Sequence, residues 1–217
     1  MNKRPVMKMP TMAILCGGLG KRMAPLTNNL PKSLIKVAGK PFIFWQLELL
    51  KRNGFENVVL CVSHLGDLIR QTVGNGERWG LSIQYNFDNP GEYGTVRAIK
   101  AALPLLGREF CTIYGDSYLE CPYVKIIVRF RIEQMEALIT TFRGQDYGLG
   151  VFIPEVFRDT AALNIIDLYR ELHKKKRLRE LRLRRRFYEI GSMTGLVETK
   201  LHLGETNEIS TVSDVHE

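Results

Sequence analysis

The chain has 217 residues, of which 45% are apolar and 25% charged, and a formal net charge of +8. This mixture fits a soluble globular unit with a sizeable buried core, and no apolar run approaches the roughly 20 residues of a membrane helix, so no membrane span is expected. The apolar run behind Lys3, Arg4 and Lys8 covers only residues 12–16, too short for a signal-peptide core, which predicts a cytoplasmic protein.

In chain order, β-branched and apolar runs at 12–16, 57–62, 81–85 and 110–114 read as short strands. Between them lie helical patterns. Residues 41–53 put Phe42, Trp45, Leu49 and Leu50 on one face, with Pro41 at a first helical position and Gly54 as a stop; 66–73, 95–105 and 123–136 read similarly. Strand and helix alternate, so the expected fold class is α/β, a mostly parallel central sheet with helices on both faces. In such sheets ligands bind beyond the carboxyl ends of the strands, which singles out the loops at Gly17, His64 and Asp116. Further on, "YGLGVFI" from Tyr147 reads as a strand, residues 164–174 as a helix, and "RFYEIGSMTGLVETKLHL" as strand, turn and short helix. One domain is expected over residues 1–203, followed by a frayed polar tail over 204–217.

The loop after the first strand, "CGGLGKR", invites two familiar readings, and both fail. A dinucleotide fingerprint needs Gly or Ala at position 23, where Met23 stands; a Walker loop needs Gly at 15 and Ser or Thr at 22, where Leu15 and Arg22 stand. What remains is a glycine loop whose amides can approach an anion closely, with Arg22 and Lys32 available to neutralise phosphate oxygens; an ordinary tight turn is the alternative. The strand in "FCTIYGDSYLE" ends at Gly115-Asp116. Beside a phosphate loop, Asp116 can hold Mg²⁺ against a triphosphate, or simply cap the following turn.

"ILCGGLGKRMAPLTNNLPKSLIKVAGKPFI", then "GTVRAI", "IYGDSYL", "YGLGVF" and "FYEIGSMTGL", in this order from about Thr11 to Leu203, resemble the sugar-1-phosphate nucleotidyltransferases, nearest to the bacterial manno-heptose and mannose 1-phosphate guanylyltransferases. The resemblance implies a Rossmann-like nucleotidyltransferase fold. The implied reaction joins a nucleoside triphosphate, GTP by branch resemblance, to a manno-configured sugar 1-phosphate for surface polysaccharide synthesis. It implies that Leu15, Gly17, Gly18 and Gly20 line the nucleotide, that Arg22 holds the leaving pyrophosphate, and that Lys32 sits on the α-phosphate side. Gly94 and Thr95 would contact the base, and Asp116 with Glu189 would bind Mg²⁺. A homo-oligomer is compatible with the resemblance. A catalytically silent nucleotide-binding relative is the alternative of a different class, against which the joint retention of Arg22, Lys32, Asp116 and Glu189 speaks.

The sequence departs from this family in one place. Relatives carry a flap that grips the acceptor sugar, but here "ALITTFRG" runs straight into "QDYGLGVF" through Gly144 and Gln145. The abruptness favours a mobile lid at this point over a natural or engineered deletion.

Residues 174–186, "KKKRLRELRLRRR", hold nine of the 31 basic residues and one acid, so they account for the whole net charge and the rest of the chain sums to zero. The expected reading is a solvated helix end and an edge strand, with an acidic partner, a membrane surface or RNA as alternatives. Nucleic-acid binding as the main function is disfavoured, because neither Trp45 nor Trp79 is interleaved with basic residues. Lys21, where "GTR" is more frequent than "GKR", is expected to be solvated. His64 is expected to cap a helix or to be partly buried. Cys16, Cys61, Cys111 and Cys121 lack zinc-knuckle spacing and read as free, buried thiols.

Overall fold

The computed structural model describes residues 7–88 and 94–213, with side chains through residue 205; Lys3, Arg4 and the last four residues of the expected tail lie outside that range. The strands are β1 (Thr11–Leu15), β2 (Lys36–Val37), β3 (Lys40–Pro41), β4 (Asn57–Val62), β5 (Ser82–Phe87), β6 (Phe110–Tyr114), β7 (Ser117–Tyr118), β8 (Ala137–Phe142), β9 (Gln145–Phe152), β10 (Leu178–Arg182) and β11 (Tyr188–Glu189). The helices are α1 (Phe42–Arg52), α2 (Gly66–Val73), α3 (Thr95–Leu106), α4 (Tyr123–Ile132), α5 (Glu155–Arg158), α6 (Ile165–Lys174) and α7 (Met193–Ser213).

Seven strands form one sheet in the order β10-β8-β9-β6-β1-β4-β5. All neighbours are parallel except β9, which runs antiparallel between β6 and β8. Side chains alternate between two apolar layers, as a pleated strand requires. Met12, Ile14, Val58 and Leu60 meet α1, α2 and α4 on one face; Ala13, Val59 and Cys61 meet α3, α5 and α6 on the other. This is the Rossmann-like arrangement expected from the alternation of strand and helix.

Several sequence expectations need correction. Helix α1 is apolar on two sides: Phe42, Trp45 and Leu49 pack against α7, while Leu50 faces the sheet with Ile43 and Leu47. Helix α4 ends at Ile132, because Gln134 adopts a positive φ of 48° and residues 137–142 leave as strand β8, which was not anticipated. The tail does not fray after Leu203: α7 continues to Ser213, since a lone glycine at 204 is a tolerable cost inside a helix and no proline follows. The expected lid between Gly144 and Gln145 is not there. Arg143 (φ 52°) and Gly144 (φ 79°) form a two-residue turn that joins β8 directly to β9 as a tight hairpin, with Phe142 paired to Gln145.

The basic run divides as expected. Lys174 closes α6, and Leu178–Arg182 forms the edge strand β10, paired in parallel only with β8.

Candidate active site

The carboxyl ends of β1 and β6 lie side by side in register, Leu15 beside Tyr114, so the loops that follow them open on the same end of the sheet. Between these loops lies a cavity of about 610 Å³, walled by the glycine loop 17–20, Lys21, Arg22, Lys32, Gly94, Thr95 and Asp116 among others. Of the ten residues expected to form the site, nine line this cavity: Leu15, Gly17, Gly18, Gly20, Arg22, Lys32, Gly94, Thr95 and Asp116. Glu189 is outside the lining but adjoins Asp116, as described below. His64 is exposed in the turn after β4 and is neither a cap nor a wall of the cavity.

The loop is shaped by local contacts. Gly17 is held by Ser63, whose hydroxyl donates to the Gly17 carbonyl at 2.7 Å. Gly20 adopts φ 64° before the short turn Lys21–Met23, and Thr27 Oγ1 donates to its carbonyl at 2.9 Å. Met23 is fully buried and anchors this turn, which leaves Lys21 and Arg22 exposed on either side of the backbone. Arg22 makes no hydrogen bond or ion pair with any described residue, so its fork of donors faces the cavity unspent. At the other end, Gly94 sits at φ 145° with the Leu163 carbonyl 2.4 Å from where a Cβ would stand. Only glycine allows that approach, and it lets Thr95 Oγ1 accept from the Ile165 amide at 2.8 Å, stitching α3 to α6.

Lys32 and Asp116 are 84 residues apart, yet Lys32 Nζ donates to Asp116 Oδ2 at 2.7 Å. Asp116 is placed by Gln46 of α1, whose buried amide donates to the carbonyls of Tyr114 (2.9 Å) and Ser117 (2.8 Å), gripping both sides of the Gly115-Asp116 loop. The Ile190 amide donates to the Asp116 carbonyl at 2.9 Å, and β7 pairs with β11 so that Ser117 stands opposite Glu189. A Cβ built on Gly191 would lie 2.8 Å from Glu189 Oε2, 2.9 Å from Asp116 Oδ2 and 3.7 Å from an Arg22 guanidinium nitrogen. Both carboxylates and the arginine therefore converge on the space that Gly191 leaves open.

Glu189 is in turn oriented by the start of α7. Its carboxylate accepts from the Gly191 amide and, at 2.5 Å, from Ser192 Oγ, while Ser192 Oγ accepts from the Gly195 amide at 3.0 Å. His202, one face of α7, stacks on Tyr188 at 3.9 Å and pairs with Glu120 at 3.0 Å, holding the helix against β11.

Sequence reading missed four parts of this arrangement. Asp88 and Asn164 line the cavity and Gln46 and Ser192 position its carboxylates; only Ser192 stands in a quoted motif, "FYEIGSMTGL", where no role was read for it. Tyr114 also lines it; burial and the neighbouring Asp146, whose Oδ2 accepts from the phenol at 2.6 Å, push the Tyr114 hydroxyl far up. The cysteines are free, as expected, Cys61 and Cys111 buried and Cys16 and Cys121 half-buried. Burial pushes the Cys16 thiol up to about 12, so no activated thiolate faces the cavity at neutral pH.

Two hard carboxylate oxygens beside a basic, phosphate-sized cavity match what Mg²⁺ takes from a protein, one or two carboxylates with the remaining positions left to water and phosphate. Among the described residues no group of three or more His, Cys, Asp or Glu side chains could hold a metal by itself.

The strand order, with a glycine loop at the end of β1 and an acidic loop at the end of β6 opening on one cavity, defines a Rossmann-like α/β protein with its candidate site at the carboxyl ends of the strands. The sequence profile of the nucleotidyl transferase family matches residues 12–149, and the chain belongs to that family. Among curated relatives it is similar to the N-acetylmuramate α-1-phosphate uridylyltransferase of Neisseria meningitidis serogroup B, 43% identical over 104 residues, which is 48% of this chain and 45% of that protein. It is also similar to the D-glycero-α-D-manno-heptose 1-phosphate guanylyltransferase of Campylobacter jejuni, 32% identical over 113 residues, 52% of this chain and 50% of that protein. The matched stretches thus span about half the length of these relatives. Among solved structures, HddC of Yersinia pseudotuberculosis in complex with GMP-PN superposes with a TM-score of 0.75 at 20% identity, over 90% of this chain and all of that one. No helix among the described residues is long and apolar enough to cross a membrane.

Proposed function

We propose that the protein transfers a nucleotidyl group from a nucleoside triphosphate to a sugar 1-phosphate, giving the nucleoside diphosphate sugar and pyrophosphate. The observation that carries this reading is the convergence of Lys32, Asp116, Glu189 and the unpaired Arg22 beside the glycine loop. A sugar phosphate is already an anionic nucleophile near neutral pH, so the reaction needs no general base and no covalent intermediate; the work is to hold two anions together for in-line attack on the α-phosphorus. Lys32 is oriented by its ion pair with Asp116 toward the α-phosphate, and Arg22 offers two parallel donors to the departing pyrophosphate. The amides of residues 17–20 cradle the remaining phosphate oxygens. Asp116 and Glu189 are the residues that would hold Mg²⁺, which when bound supplies positive charge at the phosphate oxygens.

For the donor and acceptor we propose guanylyl transfer to a manno-configured sugar 1-phosphate, supported by the likeness to the Campylobacter guanylyltransferase. The higher identity to the Neisseria uridylyltransferase favours a second reading, uridylyl transfer. Pyrophosphate release, followed with each of GTP, UTP, CTP, ATP and dTTP against a panel of sugar 1-phosphates, tests both. Turnover with GTP and a mannose or heptose phosphate supports the first, and turnover with UTP alone replaces it by the second. Absence of pyrophosphate with every pair, while a triphosphate still raises the melting temperature, would favour the catalytically silent relative.

A further inference from the structure

We propose that helix α4 and the adjoining basic segment after β10 form a docking surface for an anionic phospholipid bilayer. Helix α4 buries Tyr123, Ile126, Ile127 and Phe130 against the sheet, as an amphipathic helix should. Its opposite face mixes charged and aliphatic side chains: Lys125 and Arg129 are exposed there, Arg129 paired with Glu133 at 2.7 Å. Val124 is 46% exposed, Val128 is half-buried and Ile132 is 75% exposed, three aliphatic side chains at i, i+4 and i+8 along one outer stripe.

The basic run lies next to this helix. Leu181 and Leu183 turn inward to the same apolar cluster that α4 covers, and Arg182, Arg184 and Arg185 share a shallow depression with Pro122, the residue before the first turn of α4, and with one acid, Glu120, which pairs with His202. Lys125, Arg179, Arg184 and Arg185 make no ion pair or hydrogen bond with any described residue, so these charges are not spent within the fold. Arg184 and Arg185 belong to residues 174–186, the run of nine bases and one acid that accounts for the chain's net charge. An aliphatic stripe rimmed by unpaired lysine and arginine is the chemistry that seats in the headgroup region of an anionic membrane, where the apolar side chains enter the acyl boundary and each base gains from the negative surface potential. Nucleic acid is the poorer match. A single-stranded polyanion wants exposed aromatic rings interleaved with the bases, and here the exposed apolar residues are aliphatic.

Cosedimentation of the full chain with vesicles of phosphatidylcholine alone, or of phosphatidylcholine with phosphatidylglycerol, tests the proposal. The chain should pellet with the anionic vesicles at about 0.1 M salt, be released at about 1 M, and ignore the neutral ones. Arg184→Gln/Arg185→Gln and Val124→Ser/Ile132→Ser should each lower the partition coefficient by about tenfold while leaving triphosphate-induced thermal stabilisation unchanged. That thermal readout also confirms that each variant is folded, and the two pairs of substitutions are independent should one perturb the fold. Equal binding to neutral vesicles, unchanged binding by both variants, or retention on single-stranded RNA or on polyglutamate without retention on anionic vesicles would overturn it.

Discussion

The centre of the sheet and its β10 side are built to different standards. Around β1 and β6 every element converges on the cavity: Gln46 grips the Asp116 loop, Lys32 reaches across 84 residues to Asp116, and β11 brings Glu189 alongside. Around β8, β9 and β10 the sheet ends in a two-residue hairpin turn and a basic edge strand. The first region is over-determined by buried polar contacts, whereas the second leaves the expected acceptor side open. Under the proposed function, the donor half would carry the binding and orientation of the triphosphate.

Asp116→Ala is the sharpest test of the over-determined half. It removes a carboxylate from the convergence and strands Lys32, and it should lower Mg²⁺-dependent pyrophosphate release by about 10²–10³-fold with an unchanged circular dichroism spectrum. Retained turnover would remove the donor half from the chemistry. Gly195→Ala comes next. Its Cβ would stand 1.8 Å from Glu189 Oε1 and 2.7 Å from the Glu189 carbonyl, so we expect a loss of about 1–3 kcal/mol in urea unfolding together with reduced turnover. Gly18→Ala is its control, since no atom lies within 4 Å of the new methyl; stability should hold within about 0.5 kcal/mol while the affinity for triphosphate drops.

On the open side, Gly144→Ala places a side chain at φ 79° in the hairpin turn and should cost about 1 kcal/mol of stability, read from the urea midpoint, without moving the KM for triphosphate. A change in that KM would mean that the two regions are coupled. The smallest expected effect is that of Arg22→Ala on stability, within about 0.5 kcal/mol because the side chain is exposed and has no hydrogen bond or ion pair among the described residues to lose, even as the KM for triphosphate rises.

Much of this architecture was legible from residue order. The strands at 57–62 and 110–114 and the helix at 66–73 fell where β-branched runs and turn residues place them, because these segments carry their period and their stops within themselves. Strand β8 was not legible: "ALITTF" has no alternation, being buried on both faces between β9 and β10. Nor was the outer face of α4, since seven apolar residues among ten do not say which of them meet the core.

What the sequence by itself determined is the α/β alternation, the glycine loop and the residue types that can handle phosphate, all of which depend on neighbours a few positions apart. The tertiary structure alone decided that Lys32 pairs with Asp116, that β7 and β11 bring Glu189 to Gly191 and Asp116, that Gln46 and Ser192 hold these carboxylates, and that the hairpin at Gly144 closes without a lid. Each of these rests on contacts between segments distant in the chain, which form only when the strands take their order in the sheet and the side chains bury together.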